Sequence, residues 1–339
     1  MRRYLVVGPS WVGDMVMAQS LFKTIRQRYP QSSIDVVAPE WALPILQRMP
    51  EVAKGIALPV LHGQFSFFTR VSLGRSLRAN QYTHAIVLPR SWKSALVPYF
   101  AGVPVRTGYR GEMRYGLLND IRTLDKNILK QTVQRYVAHA YDKEAGSPPL
   151  IPEPQLEVDQ KNLPSLLNKL VLKQDRPIIC MMPGAEYGPA KQWPAEYYAE
   201  LARLLQAKGY QVWVLGSAKE KALGDKIIAH AGNAAISLCG KTSLIEVVDL
   251  LSCAEQVVTN DSGLMHVAAA VGVRLNVIYG SSTPEYTPPL ATTDRLNIFY
   301  LSLDCSPCFK RVCPLGHKNC LLDIKVDDVY QKISTENKQ

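Results

Sequence analysis

Several stretches of the chain hold polar residues in patterns that chemistry can use. The first is Gly8-Pro9-Ser10-Trp11-Val12-Gly13-Asp14. Its Gly-x4-Gly spacing is that of a phosphate loop, but Asp14-Met15 replace the required Lys and Ser or Thr, and a carboxylate there repels phosphate. At a helix start the dipole would keep Asp14 ionised, which suits a general base, although position alone favours an ordinary helix-stabilising acid. The second stretch is Pro183-Gly184-Ala185-Glu186-Tyr187-Gly188-Pro189-Ala190-Lys191-Gln192-Trp193-Pro194. Its glycines let backbone approach a ligand, and Lys191 is a point cation for a diphosphate or a solvated loop end. The third is Asp261-Ser262-Gly263-Leu264-Met265-His266. Ser262 can cap a helix, Gly263 opens N–H groups to an anion, and His266 lies one turn on; a plain N-cap with a structural histidine has the same pattern. Glu220 could offer two oxygens to ribose hydroxyls or be a surface acid in a first helical turn. The loop 280–289 could line the same cleft.

These loops need strands behind them, and apolar runs supply them. Residues 4–7, 34–38 and 84–88 read as strands, with helices over 15–29 and 92–100. The prolines between 147 and 164, Pro164 included, read as a linker that neither helix nor central strand can cross. The alternation then restarts, with strands at 178–182, 212–215, 256–259 and 275–279 and helices at 194–208, 219–231, 244–251 and 264–271. Unbroken apolar strands alternating with helices predict two doubly wound α/β domains, 1–160 and 161–339, the last helix being a candidate to pack back on the first. Ligands then belong at the carboxyl ends of the strands, where the loops above lie.

Charge divides the same way. The chain of 339 residues has net charge +10: residues 1–160 hold 20 Lys and Arg against 12 acids, and residues 161–339 hold 19 against 17. Between 70 and 114 lie Arg70, Arg75, Arg78, Arg90, Lys93, Arg106, Arg110 and Arg114 with one acid, Glu112. This predicts an anionic partner on the first domain, or else a solvated basic face. The composition excludes wholesale disorder. No apolar run nears the roughly 18 residues that span a bilayer, and no dinucleotide fingerprint occurs. The N-terminal stretch is too short for a signal peptide, so a cytoplasmic location is expected.

Seven cysteines fall into two groups. Cys180, Cys239 and Cys253 read as core thiols, while Cys305-x2-Cys308-x4-Cys313-x6-Cys320, with His317 nearby, has the ligand types of a structural zinc site. The spacing departs from a paired C-x2-C, so reduced or redox-labile thiols are the leading reading and a structural metal the second.

Four of these motifs together resemble the ADP-heptose:lipopolysaccharide heptosyltransferases of glycosyltransferase family 9, in particular those that add the second heptose. They are Gly8 to Met15, Arg110-Gly111-Glu112-Met113-Arg114-Tyr115-Gly116-Leu117-Leu118-Asn119-Asp120, Pro183 to Glu186 with Lys191 to Pro194, and Thr259-Asn260 leading into Asp261 to His266. The resemblance runs in one order over nearly the whole chain, and enzymes for the first or third heptose share most of it. It implies a GT-B fold, two doubly wound domains facing across a cleft, and an inverting transfer without a required cofactor. Asp14 is then the base. The ADP-heptose side comprises Gly184, Glu186, Lys191, Glu220, Asp261, Ser262, Gly263 and His266, with Lys191 also aiding departure of the diphosphate. Ser10, Trp11, Arg90, Lys93, Arg110 and Arg114 form the side for a lipid A-linked inner-core acceptor, with peripheral contact to the inner face of the inner membrane. The resemblance implies no catalytic metal. The rival class is a non-catalytic basic protein on nucleic acid or anionic membrane, and sparse aromatic residues among the 70–114 cations argue against nucleic acid.

Overall fold

The computed structural model describes residues 1–60, 64–141 and 147–335, which divide into two compact units, Met1–Leu156 and Glu157–Gln339. In the first unit, six strands form one parallel sheet: β1 (Arg3–Val7), β2 (Ser33–Ala38), β3 (Lys54–Ala57), β4 (His84–Val87), β5 (Val105–Tyr109) and β6 (Asp120–Arg122). Their order is β3-β2-β1-β4-β5-β6. The second unit repeats this with β7 (Ile178–Met182), β8 (Gln211–Val214), β9 (Ile236–Ser237), β10 (Gln256–Asn260), β11 (Arg274–Ile278) and β12 (Leu296–Phe299), ordered β12-β11-β10-β7-β8-β9. Both are the doubly wound order, which reverses between β1 and β4 in one sheet and between β7 and β10 in the other.

The apolar runs explain the central strands. Leu5 and Val6 of β1 and every residue of β7 and β10 are buried, as parallel strands covered on both faces must be. Val7 pairs with Val37 and Val87, so three strands end level beneath the first loop. In the second sheet Thr259 pairs with Met182 and Asn260 with Ile278, levelling the ends of β7, β10 and β11.

Two expectations change. Pro164 does not interrupt a helix but begins one, Leu163–Lys169, because proline's missing N–H costs nothing in a first turn. The last helix, Val326–Thr335, buries Val326, Val329 and Ile333 in the core of its own unit. Part of the predicted linker also lies against helix Val12–Arg28: Gln19 donates to the Gln155 carbonyl at 2.7 Å and accepts from its N–H at 3.0 Å. No helix among the described residues is long and apolar enough to cross a membrane.

Candidate active-site loops

In the second unit the loops after β7 and β10 meet at the strand-order reversal, and one side chain fixes them. Asn260, fully buried at the end of β10, accepts hydrogen bonds from the Trp193 N–H (3.0 Å) and the Tyr198 hydroxyl (3.2 Å). Its amide donates to the Pro183 carbonyl at 2.6 Å. Sequence reasoning missed this role, although an amide ending an apolar strand is the available signal. Lys191 is brought to Asp261, Nζ to Oδ2 2.5 Å, and Ser282 of the loop after β11 donates to the same oxygen. The Lys191 side chain is 16% exposed and that of Asp261 5%, so the pair is largely removed from water. Lys191 is therefore no isolated cation: its ammonium is already shared with a carboxylate. Tyr187 places its ring 5.2 Å from that Nζ and 5.4 Å from the guanidinium of Arg311, a residue that no sequence motif announced.

Gly184 is required by close approach. A Cβ there would stand 1.5 Å from Glu220 Oε1, so only glycine lets the carboxylate lie against the loop. The other Glu220 oxygen accepts the Ser217 N–H at 2.6 Å in a capping box, so one of the two oxygens expected to take ribose is engaged in structure. Glu186 pairs with exposed Lys219 at 2.6 Å. Ser262 occupies the N-cap of helix Gly263–Val271, but its side chain makes no capping hydrogen bond, contrary to the expected cap. His266 is buried; desolvation drives its pKa to about 4 against the opposing pull of Asp261, so the ring is neutral at pH 7.

In the first unit Asp14 lies in the first turn of helix Val12–Arg28, behind Ser10 and a 44%-exposed Trp11. The Tyr136 hydroxyl donates to Asp14 Oδ1 at 3.1 Å. Tyr136 comes from helix Thr132–Val137, which packs on helix Val12–Arg28 and is tied to β5 where the Tyr109 hydroxyl donates to the Arg135 carbonyl at 3.1 Å. Nothing in the sequence pattern marked Tyr136.

The basic stretch separates into two kinds of cation. Arg114 is buried, donating to the carbonyls of Pro89 (2.7 Å) and Tyr109, and desolvation lowers its pKa to about 10. The segment after β5 is not helical, so Arg110 and Arg114 do not share a helix face; Arg114 pins the loop from inside, which corrects its expected place on an acceptor-facing surface. Arg70 and Arg106 likewise hold carbonyls, of Phe65 at 2.8 Å and Leu117 at 2.6 Å. Arg90 and Arg110 remain exposed, Arg90 donating to the Arg110 carbonyl at 3.1 Å. Lys93 is half-buried and donates to the Gln64 carbonyl at 3.1 Å.

Cys305, Cys308, Cys313, Cys320 and His317 line one pocket, and all four thiols are free. Backbone N–H groups, that of Lys318 foremost, lower the Cys313 pKa, while burial raises that of Cys320. Among the described residues, however, no group of three or more His, Cys, Asp or Glu side chains is placed to hold a metal ion. The candidate zinc set therefore does not form a ready site among the described residues.

Two doubly wound sheets, each with its charged loops at the order reversal, make an α/β architecture that many activities share, and comparison supplies the family. Residues 70–319 match the model of glycosyltransferase family 9 (heptosyltransferase), and the chain belongs to that family. It is 46% identical to lipopolysaccharide heptosyltransferase 2 of Escherichia coli (strain K12) over 98% of this chain and 97% of that protein. It is 49% identical to lipopolysaccharide heptosyltransferase 2 of Salmonella typhimurium (strain LT2), with the same two coverages. The solved structure of E. coli ADP-heptose lps heptosyltransferase II superposes with a TM-score of 0.87 at 43% identity, covering 99% of this chain and 98% of that one. The fold is α/β of the GT-B type, as the motifs implied.

Proposed function

We propose that the chain transfers L-glycero-D-manno-heptose from ADP-heptose to the first heptose of a lipid A-linked lipopolysaccharide inner core, with inversion at the anomeric carbon. The supporting relatives carry the heptosyltransferase 2 name over nearly full length. The observation that carries the site is the β7–β10 cluster, where Glu220 lies against Gly184 and Lys191 against Asp261 at the strand-order reversal.

In this reading Asp14 accepts the proton of the acceptor hydroxyl. That oxygen forms the new bond to the anomeric carbon while the bond to the diphosphate breaks and ADP leaves with the electron pair. Lys191 and the N–H groups at Ser262 and Gly263 meet the charge that develops on ADP. Glu220 orients the ribose with its oxygen beside Gly184, and Glu186 and His266 shape the same pocket, His266 as a neutral ring. Ser10, Trp11, Arg90, Lys93 and Arg110 meet the acceptor's anionic groups, and Arg114 holds their loop in place. The first unit also touches the anionic cytoplasmic face of the inner membrane, where a lipid-linked acceptor is met. Product analysis with ADP-heptose and a series of truncated, delipidated core acceptors tests the reading. A single heptose added only to the one-heptose core supports it. Addition to the core lacking heptose, or no transfer to any acceptor, overturns it.

A further inference from the structure

Sixty consecutive residues, 52–111, contain eight cations and no Asp or Glu. Inside this stretch, helix Phe67–Ser76 crosses helix Leu96–Phe100 so closely that a Cβ on Gly74 would stand 2.7 Å from the Val97 carbonyl oxygen. The crossing joins aromatic rings into one series, so aromatic residues are not sparse beside these cations, which corrects the expectation from the sequence. Ring centroids lie 5.8 Å apart for Trp92 and Phe65, 5.9 Å for Phe65 and Phe67, and 5.5 Å for Phe67 and Phe68. The series branches from Phe67 to Phe100 at 6.3 Å and on to Tyr99 at 5.2 Å.

This series is not core. Phe68 is 84% exposed, Phe65 49% and Tyr99 42%, and contiguous exposed rings of this kind mark a surface that something covers. An open groove between Phe68, Leu73, Ala57 and Pro59 continues the apolar surface. Phe68, Ser72 and Arg75 fall at i, i+4 and i+7, all exposed on one helix face, so a cation stands two turns from the outermost ring. Arg106 sits 5.5 Å over the Tyr99 ring, and Arg78 donates to the Phe100 carbonyl at 2.9 Å.

We propose that this face of the first unit, with Phe68 outermost, seats the protein in the interfacial layer of an anionic phospholipid bilayer. The proposal deepens the membrane contact in the proposed function, and rests on it only for the need to meet a lipid-linked acceptor. Phenyl rings beside cations match the interface, where rings enter the acyl boundary and positive charge stays among the headgroups. A nucleic acid would want the guanidinium forks turned outward to phosphates. Here Arg70 and Arg106 spend fork donors on carbonyls and Arg78 spends its Nε–H on one, which leaves their charge in the field. A diffuse positive field is sufficient for a bilayer.

The test floats the full chain with vesicles of phosphatidylcholine alone and of an equimolar mixture with phosphatidylglycerol, and measures transfer to a soluble, delipidated acceptor in parallel. Binding is expected to the mixed vesicles, weakening with salt. Phe68→Ser should cost about tenfold in vesicle affinity, and Arg75→Ser about fivefold. Both variants should melt with the wild type and transfer to the soluble acceptor at its rate, since neither residue lies in the proposed active-site loops. Vesicle affinity unchanged by Phe68→Ser, or equal for neutral and anionic vesicles, overturns the proposal. So does a dimer by light scattering that Phe68→Ser dissolves, or single-stranded DNA binding that Phe68→Ser abolishes while vesicle binding persists. Wild-type failure on the soluble acceptor would refute the proposed reaction and leave the vesicle result standing.

Discussion

Tyr136 donates its phenolic hydrogen to Asp14 Oδ1 at 3.1 Å, joining residues 122 positions apart. The bond fixes one carboxylate oxygen in direction. If Asp14 is the base, Asp14→Asn should lower kcat by about 10²- to 10⁴-fold with ADP-heptose affinity little changed, because Asn keeps the shape but accepts no proton. Tyr136→Phe should reduce kcat about tenfold or less and leave the donor KM unchanged, the signature of a positioning residue. Steady-state kinetics of both variants checks this. Near-wild-type turnover of Asp14→Asn removes Asp14 from the mechanism.

The Lys191–Asp261 pair predicts coupling. If its ammonium meets the diphosphate in ground and transition states, Lys191→Ala should weaken donor binding and slow transfer together. It also strands a buried carboxylate, so its melting temperature should fall. Adding Asp261→Ala should recover part of that stability without recovering transfer, giving a non-additive cycle. Additive losses in both measurements would show that the two residues act separately.

The arginines predict a division of labour. Arg114→Ala should destabilise the first unit by about 3 kcal/mol, because two carbonyls lose charge-assisted hydrogen bonds in a buried setting. Charge removal at Arg90, Lys93 or Arg110 should leave the melting temperature nearly unchanged and raise the acceptor KM, with the wild-type KM itself rising with ionic strength. Thermal melts paired with acceptor kinetics separate the two groups. An acceptor KM unmoved in all three variants across salt would end the assignment of these cations to the acceptor.

The elements that sequence pattern revealed are those with one dominant cause. Residues 178–182 and 244–251 match β7 and helix Leu244–Leu251 because their apolar runs leave one reading open, and the structure shows a Ser243 to Glu246 capping box that starts the helix where the run begins. The two-residue β9 and three-residue β6 are too short for any periodicity to mark; pairing with neighbouring strands defines them. The site behaves likewise. Local motifs marked Asp14, in the first helical turn after β1, and Lys191 and Asp261 in the segments that follow β7 and β10. Asn260 reaches residues 67 and 77 positions away, and Tyr136 meets Asp14 only because two helices pack. Arg114 shows the opposite failure: charge counting treats every arginine as surface, whereas a guanidinium has enough donors to be the best clamp for carbonyls inside a loop.

Two histidines should make the fold sensitive to acid. His139 in the first unit and His266 in the second are buried, and burial lowers each from 6.5 to about 4. Both are neutral in the folded protein at pH 7, and between roughly pH 6.5 and 4 the unfolded chain binds the protons that the folded chain refuses. Stability from each is therefore complete above pH 6.5, falls as pH drops toward 4, and changes no further below that. By linkage the loss at pH 5 is about 2 kcal/mol per histidine. His139 offers the cleaner test, because its Nδ1 lies 2.9 Å from the Arg135 carbonyl and an Asn amide reproduces that donor without titrating. Denaturation monitored at pH 7.5 and pH 5 should show His139→Asn losing about 2 kcal/mol less than the wild type between the two. Equal losses would mean that His139 takes up its proton in the folded state as readily as in the unfolded one, against the burial that the Tyr109 ring, 4.3 Å away, helps to enforce.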